Sequence, residues 1–146
     1  MTDKVYKRPE SVLVVIYTAA GQVLMLERRQ PAGYWQSVTG SLEWDESARA
    51  AALREVREET GLDVADNLVD CDYENRFEIL PAWRARYAPE VRVNTEHVFA
   101  ARYEVRPEVR IHAAEHLRYA WLMREQALVR ASSATNREAI ARCLPG

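Results

Sequence analysis

The chain has little cysteine, no surplus of positive charge and no long apolar run. Its two cysteines, Cys71 and Cys143, stand far apart along 146 residues and lack metal-ligand spacing. Reduced thiols in a cytoplasmic protein are the expectation. Cys143 falls within an apolar helical pattern, so core packing is its expected role. Twenty Lys and Arg stand against 22 Asp and Glu, a net charge of −2. This argues against a general nucleic-acid binder, which is usually basic. No apolar stretch approaches the roughly 18 residues of a membrane span. The start, MTDKVYKRPE, lacks the three-part order of a secretory leader. The three histidines form no His–His or Cys–His set that would argue for zinc. Repeats, low-complexity tracts and interdomain linkers are missing, so residues 1–146 are read as one domain.

What is present is a globular mixture, 48% hydrophobic and 29% charged, long enough to bury a proper core. SVLVVIYTAA (11–20) is β-branched and continuously apolar, the pattern of a buried strand. Gly21 punctuates it, and VLMLERR (23–29) reads as its hairpin partner. QPAGYW (30–35) is a loop, and QSVTGSLEW (36–44) a short strand followed by a loop. Ser47 is placed to cap a helix over Ala48–Thr60, with Gly61 as its stop. Ala48, Ala52 and Val56 give that helix a slim apolar face that can lie close to a sheet. Residues 68–80 have mixed strand character, and 81–95, rich in Pro and Arg, read as an excursion. Strands are expected over 96–105 and 116–123, then a short helix from Arg124 and a last helix capped by Asn136. In that last helix Ala139, Ile140, Cys143 and Leu144 share one side. The fold class is α/β (α+β), a mixed sheet between helices.

The acids of SLEWDESARAAALREVREETGL (41–62) pose a problem, because like charges at helical neighbour spacing repel by a few tenths of a kcal/mol per pair. Glu55 and Glu59 project from one face, one turn apart. Two carboxylates so placed suit a hard divalent cation, Mg²⁺ or Mn²⁺. Glu58 lies beside them, within reach of Arg54. Taken alone, three glutamates would be a solvated helix face. The wider pattern changes that reading. Gly40, Glu46, Arg54, Glu55, Glu58, Glu59 and Gly61, with apolar Val56 and Leu62, fit G-x5-E-x7-R-E-U-x-E-E-x-G-U, where U is apolar. Seven fixed residues at roughly one in fifteen each give a chance match on the order of 10⁻⁸ per start site.

This pattern is the Nudix box, and the chain resembles the Nudix hydrolases. The likeness extends over YKRPESVLVVIY, VLMLERR, YWQSVTGSLE, FEI, RYAPEVRVNTE, AEHLRYAWL and TNREAI to the pterin-triphosphate branch of that family. It is weakest over 65–76 and 104–112. What the resemblance implies is Mg²⁺-dependent hydrolysis of 7,8-dihydroneopterin triphosphate to the monophosphate and diphosphate, a step of folate biosynthesis. Two alternatives stay open: a diphosphatase for nucleoside triphosphates such as dATP or oxidised dGTP, and a non-catalytic sensor module. The implied metal ligands are Glu55, Glu59 and Glu115. The implied catalytic set is Arg54, which steadies carboxylates, with Glu58 as a further ligand or the general base and Glu115 as third ligand or base. Gly40, Glu46 and Gly61 are structural parts of the box, the glycines for backbone freedom and Glu46 as a partner or outer ligand.

Substrate contacts are implied for Lys7, Arg28, Thr39, Phe77, Glu78, Ile79, Leu80 and Ser133. Lys7 and Arg28 would neutralise the triphosphate, Phe77 would stack on the pterin, and Glu78 would accept its paired ring N–H and amino donors. Asn136 is read only as a cap, His116 as structural or orienting, and Trp35, Trp83 and Trp121 as packing. The partner implied is a small triphosphate, not a nucleic acid, a membrane or an obligatory protein.

Overall fold

Alternation along the first strand decides which side of the sheet each helix occupies. The computed structural model describes residues 5–145. The parts of the N-terminal and one-domain readings that fall on residues 1–4 and 146 lie outside the described residues. Strand β1 (Glu10–Thr18) is buried on both faces. Its even members Val12, Val14 and Ile16 join one apolar cluster, and its odd members Leu13 and Val15 join a second. A central strand covered on both sides reads as a continuous apolar run rather than an alternating one, which is what SVLVVIY is.

The remaining elements are β2 (Gln22–Arg28), β3 (Trp35–Gln36), β4 (Val38–Ser41), α1 (Ala48–Thr60), β5 (Leu68–Glu78), β6 (Val93–Tyr103), β7 (His116–Met123), α2 (Arg124–Arg130) and α3 (Ala134–Cys143). The segment expected to be an excursion holds a short 3₁₀ helix, Pro81–Arg86, and then the first residues of β6. The architecture is the expected mixed sheet between helices. β1 runs parallel to β6, from Glu10↔Thr95 to Thr18↔Tyr103, and β5 is antiparallel to the far edge of β6. On its other side β1 changes partner. It pairs with β4 from Ser11↔Ser41 to Val14↔Val38, and with β2 only at Tyr17↔Val23. β2 instead pairs with β3 and β7. The sheet therefore forks beside the N-terminal half of β1.

Helix α1 covers the even face of β1. Ala51, Ala52 and Val56 are fully buried against Val12, Val14 and Ile16. Ser47 Oγ accepts the Ala50 N–H at 3.1 Å, and Gly61 ends the helix at φ 76° with its N–H on Arg57 O, so both expected caps are present. Helices α2 and α3 cover the odd face through Ala127, Ala139 and Ile140. Among the described residues no helix is long and apolar enough to cross a membrane. Cys71 and Cys143, remote in sequence, are brought to an Sγ···Sγ distance of 3.1 Å where β5 meets α3.

One expectation is corrected here. The cap of α3 is Ser133, whose Oγ accepts the Asn136 N–H at 3.1 Å. Asn136, three residues on, is 1% exposed and reaches across to the β3–β4 junction. Its Oδ1 accepts the Ser37 N–H at 2.7 Å and its Nδ2 donates to Ser37 Oγ at 2.9 Å. The local cap signal of an Asn is outweighed by a tertiary partner 99 residues away. Asn136→Ala orphans the buried Ser37 N–H, so the unfolding free energy from urea titration is expected to fall by about 1–3 kcal/mol.

Candidate active site

The loop before α1 and the helix itself are held together by one guanidinium. Arg54 donates from Nε to Glu46 Oε2 at 2.9 Å and from Nη2 to Glu46 Oε1 at 2.8 Å, a bidentate fork. Its Nη1 reaches Glu55 Oε1 at 2.8 Å and Glu58 Oε2 at 3.5 Å, and Nη2 also donates to Ser41 O. The Arg54 bonds hold the Glu46 carboxyl below the usual carboxylate range, and Glu46 holds the Arg54 guanidinium firmly charged. Arg8, which sequence reasoning passed over, clamps the same loop from outside through the Glu43 and Glu46 carbonyls, both at 2.9 Å. No local pattern marks Arg8, because its targets are backbone atoms of a distant loop.

The two box glycines do different things. Gly61 takes a left-handed φ, as expected. Gly40 does not need one. It lies in β4 opposite Val12, and a Cβ there would overlap the Glu55 carboxyl group. Its requirement is space, and that corrects the reading of Gly40 as a conformational glycine.

Beyond Gly40 lies Glu59, 2% exposed, with neither carboxylate oxygen hydrogen-bonded. The nearest cation-capable group is His116, itself buried, with Nε2 3.6 Å from Glu59 Oε1. Burial pushes the Glu59 carboxyl well above its ordinary value of 4.5, and the neighbouring Glu55, Glu115 and Glu58 push the same way. Glu55 is also raised, by burial first, with Arg54 pulling against that. Burial likewise lowers the His116 imidazole, so it does not compensate the acids as a firm cation. A bare carboxylate in such a place costs several kcal/mol. A proton shared between Glu55 and Glu59, or a bound cation, removes that cost. Two oxygen-only donors, Glu59 buried with no firm cation beside it and Glu55 half-buried with one oxygen on Arg54, fit a hard divalent ion. Among the described residues no three acidic, cysteine or histidine side chains form a closed metal cluster. The cradle is Glu55 and Glu59, with Glu115 in the wall of the same cavity.

That cavity, about 900 Å³, lies at the fork of the sheet. Its lining includes the acids Glu55, Glu59 and Glu115 and the cations Lys7, Arg28 and Arg29. Partial desolvation and the Arg86 charge hold the Lys7 ammonium below its usual range. Both arginines of the Arg28–Arg29 pair reach the cavity. A bulge between Glu27 and Arg28 shifts the register of β2 against β7, and Arg29 Nε turns to donate to Ala113 O at 2.9 Å. Thr39, Phe77, Ile79, Leu80, Trp83 and Ser133 line the same cavity.

Two predicted residues stand apart from the rest. Glu58 is 57% exposed at its side chain and is not among the cavity-lining residues. Glu78 borders the cavity, but its side chain is 76% exposed and pairs with Arg84 at 3.0 Å. Missed altogether were three polar strand residues of the lining, Ser11, Asn94 and Glu96. Their one sequence signal is their number, three polar residues at positions of strands that otherwise face the core.

A chain with this fold and this box has known relatives. The model of the NUDIX domain matches residues 7–143. The chain belongs to the Nudix family. Among curated proteins it is 48% identical over 144 residues to a dihydroneopterin triphosphate diphosphatase of Escherichia coli K12, covering 96% of this chain and 95% of that one. A protein of the same description from Haemophilus influenzae is 42% identical, covering 95% of this chain and 89% of that one. Among solved structures, that of the E. coli dihydroneopterin triphosphate pyrophosphohydrolase superposes with a TM-score of 0.86 at 45% identity, covering 96% and 97% of the two chains.

The electrostatics carry a sign. Glu59 holds its proton more tightly folded than unfolded, so its contribution to stability is present below pH 4.5 and is lost as pH rises through the raised folded value. In EDTA, the Tm of Glu59→Gln minus that of the wild type is therefore expected to grow between pH 4.5 and pH 8. A difference that stays flat across the range would contradict the assignment.

Proposed function

We propose that this chain is a Mg²⁺-dependent Nudix diphosphatase that hydrolyses 7,8-dihydroneopterin triphosphate to dihydroneopterin monophosphate and diphosphate. The observation that carries the reading is a single cavity whose lining joins the acidic pair Glu55 and Glu59, the cations Lys7 and Arg28, and the aromatic side chains Phe77 and Trp83. That combination suits a pterin triphosphate, with a cation and basic groups for the phosphates and an aromatic face for the ring. Near full-length identity to proteins described as dihydroneopterin triphosphate diphosphatases supports the same reading. In this view residues 1–146 are one catalytic domain acting in the cytoplasm on a small triphosphate.

Glu55 and Glu59 hold the cation, with Glu115 as the third carboxylate. Mg²⁺, or Mn²⁺ in its place, supplies charge neutralisation at the phosphates and lowers the pKa of water. Lys7 and Arg28 bind and orient the phosphate chain, and Thr39 offers its hydroxyl along the way. Arg54 keeps Glu55 aimed while Glu46 keeps Arg54 in place. Glu115 is the preferred general base, taking the proton of the attacking water on its carboxylate. The exposure of Glu58 makes it the weaker candidate. Phe77 stacks on the ring, and Ile79 and Leu80 border it.

Diphosphate release is the direct assay, run on dihydroneopterin triphosphate and on dATP and dGTP. A higher kcat/KM for the pterin is expected. Release of inorganic phosphate in place of diphosphate, or a clear preference for dATP, would sink the proposal and favour the nucleotide reading. Glu59→Gln is expected to lower kcat by about 10³-fold and to abolish most of the rise in Tm that Mg²⁺ gives the wild type. Glu115→Ala is expected to lower kcat by about 10²-fold; a rate near wild type removes it from the mechanism.

A further inference from the structure

The cavity wall holds a carboxylate that the roles above leave unused. Glu96 lies on β6 and is 5% exposed. Register places it beside Ser11 of β1 and opposite Asn75 of β5, with Phe77 on the diagonal opposite Asn94. Glu96, Ser11, Phe77 and Asn94 line the cavity, and Asn75 stands behind Glu96 as its hydrogen-bond donor. Odd positions of β5 face this side, so Glu78 points away and Asn75 and Phe77 point in.

We propose that Glu96 is the specificity residue that reads the heterocycle, accepting its adjacent ring N–H and amino N–H while Phe77 covers the ring face. The inference rests on the proposed pterin-triphosphate reading and moves the recognising carboxylate from Glu78 to Glu96. The chemistry is that of an acceptor kept in waiting. An ionised carboxylate has about four acceptor positions. Asn75 Nδ2 donates to Oε1 at 3.2 Å, and Thr135 makes a second bond. Two positions are left, on a group that burial pushes toward protonation and that no cation among the described residues balances. Two parallel N–H donors complete it. The 2-amino-4-oxo edge that pterin shares with guanine offers that pair. Adenine offers a donor beside a ring-nitrogen acceptor, which a carboxylate repels.

The competing explanation is that Glu96 only ties β5 to α3. Glu96→Gln separates the two, because the amide keeps an oxygen for Asn75 but turns one acceptor into a donor. The expected result is a fall of about 10²-fold in kcat/KM for dihydroneopterin triphosphate and for dGTP, with dATP unchanged or improved. An equal loss on all three, or no loss on any, overturns the inference. Should the wild type fail to cleave the pterin yet prefer dGTP to dATP, with Glu96→Gln erasing that preference, the pterin reading falls and the role of Glu96 survives. If the pterin is cleaved well by both wild type and variant, Glu96 alone is overturned.

A measurement on the wild type does not depend on the variant folding. Neopterin and its analogue lacking the 2-amino group are compared as inhibitors. The analogue is expected to bind at least about 30-fold more weakly, and equal inhibition overturns the assignment.

Discussion

The fork between Arg54 and Glu46 is the constraint on which the site depends. It ties the loop after β4 to the middle of α1, and with the same guanidinium it aims Glu55 at the gap beside Gly40. Without a fixed Glu55, the bare Glu59 behind it would have neither a proton-sharing neighbour nor a second ligand for a cation. The repulsion among the helix acids is therefore met in three ways. Arg54 takes Glu46 and Glu55, solvent and a longer Arg54 contact take Glu58, and Glu59 is left buried and lacking a firm cation. That residual lack is what the proposed cation would answer.

The cavity owes its existence to a change of partner along β1. Because β1 pairs with β4 over Ser11–Val14 and meets β2 only at Tyr17↔Val23, the strands diverge and side chains from β1, β2 and β4 converge on the space between them. Helix α3 closes one side through Asn136, which bonds the backbone and side chain of Ser37. A packing device thus sits within the wall of the binding site, and the same residue serves stability and shape.

Much of this was legible before any coordinates. The caps of α1, Ser47 and Gly61, fall where local chemistry put them, because N- and C-cap signals act within one turn. The double burial of β1 follows from its unbroken apolar run. The pairing of Arg54 with Glu58 follows from helical spacing, and the box pattern identified the acid pair. The readings that needed correction share one physical cause. Asn136 looked like a cap and Gly40 looked like a conformational glycine. In both cases the local signal was real but a remote partner decided the outcome: Ser37 for Asn136, the Glu55 carboxylate for Gly40.

The sequence by itself determined the helix that carries the acids, the face they share and the class of ion they suit, because periodicity and ligand chemistry are local properties. Only the tertiary structure decided which acids are buried and which are wet. Glu59 and Glu96 lose their solvent to residues far along the chain, while Glu58 and Glu78, of the same type and close to them in sequence or in register, keep theirs. Desolvation depends on what packs around a side chain, and packing is set by strand register and helix docking, which no short stretch of sequence contains.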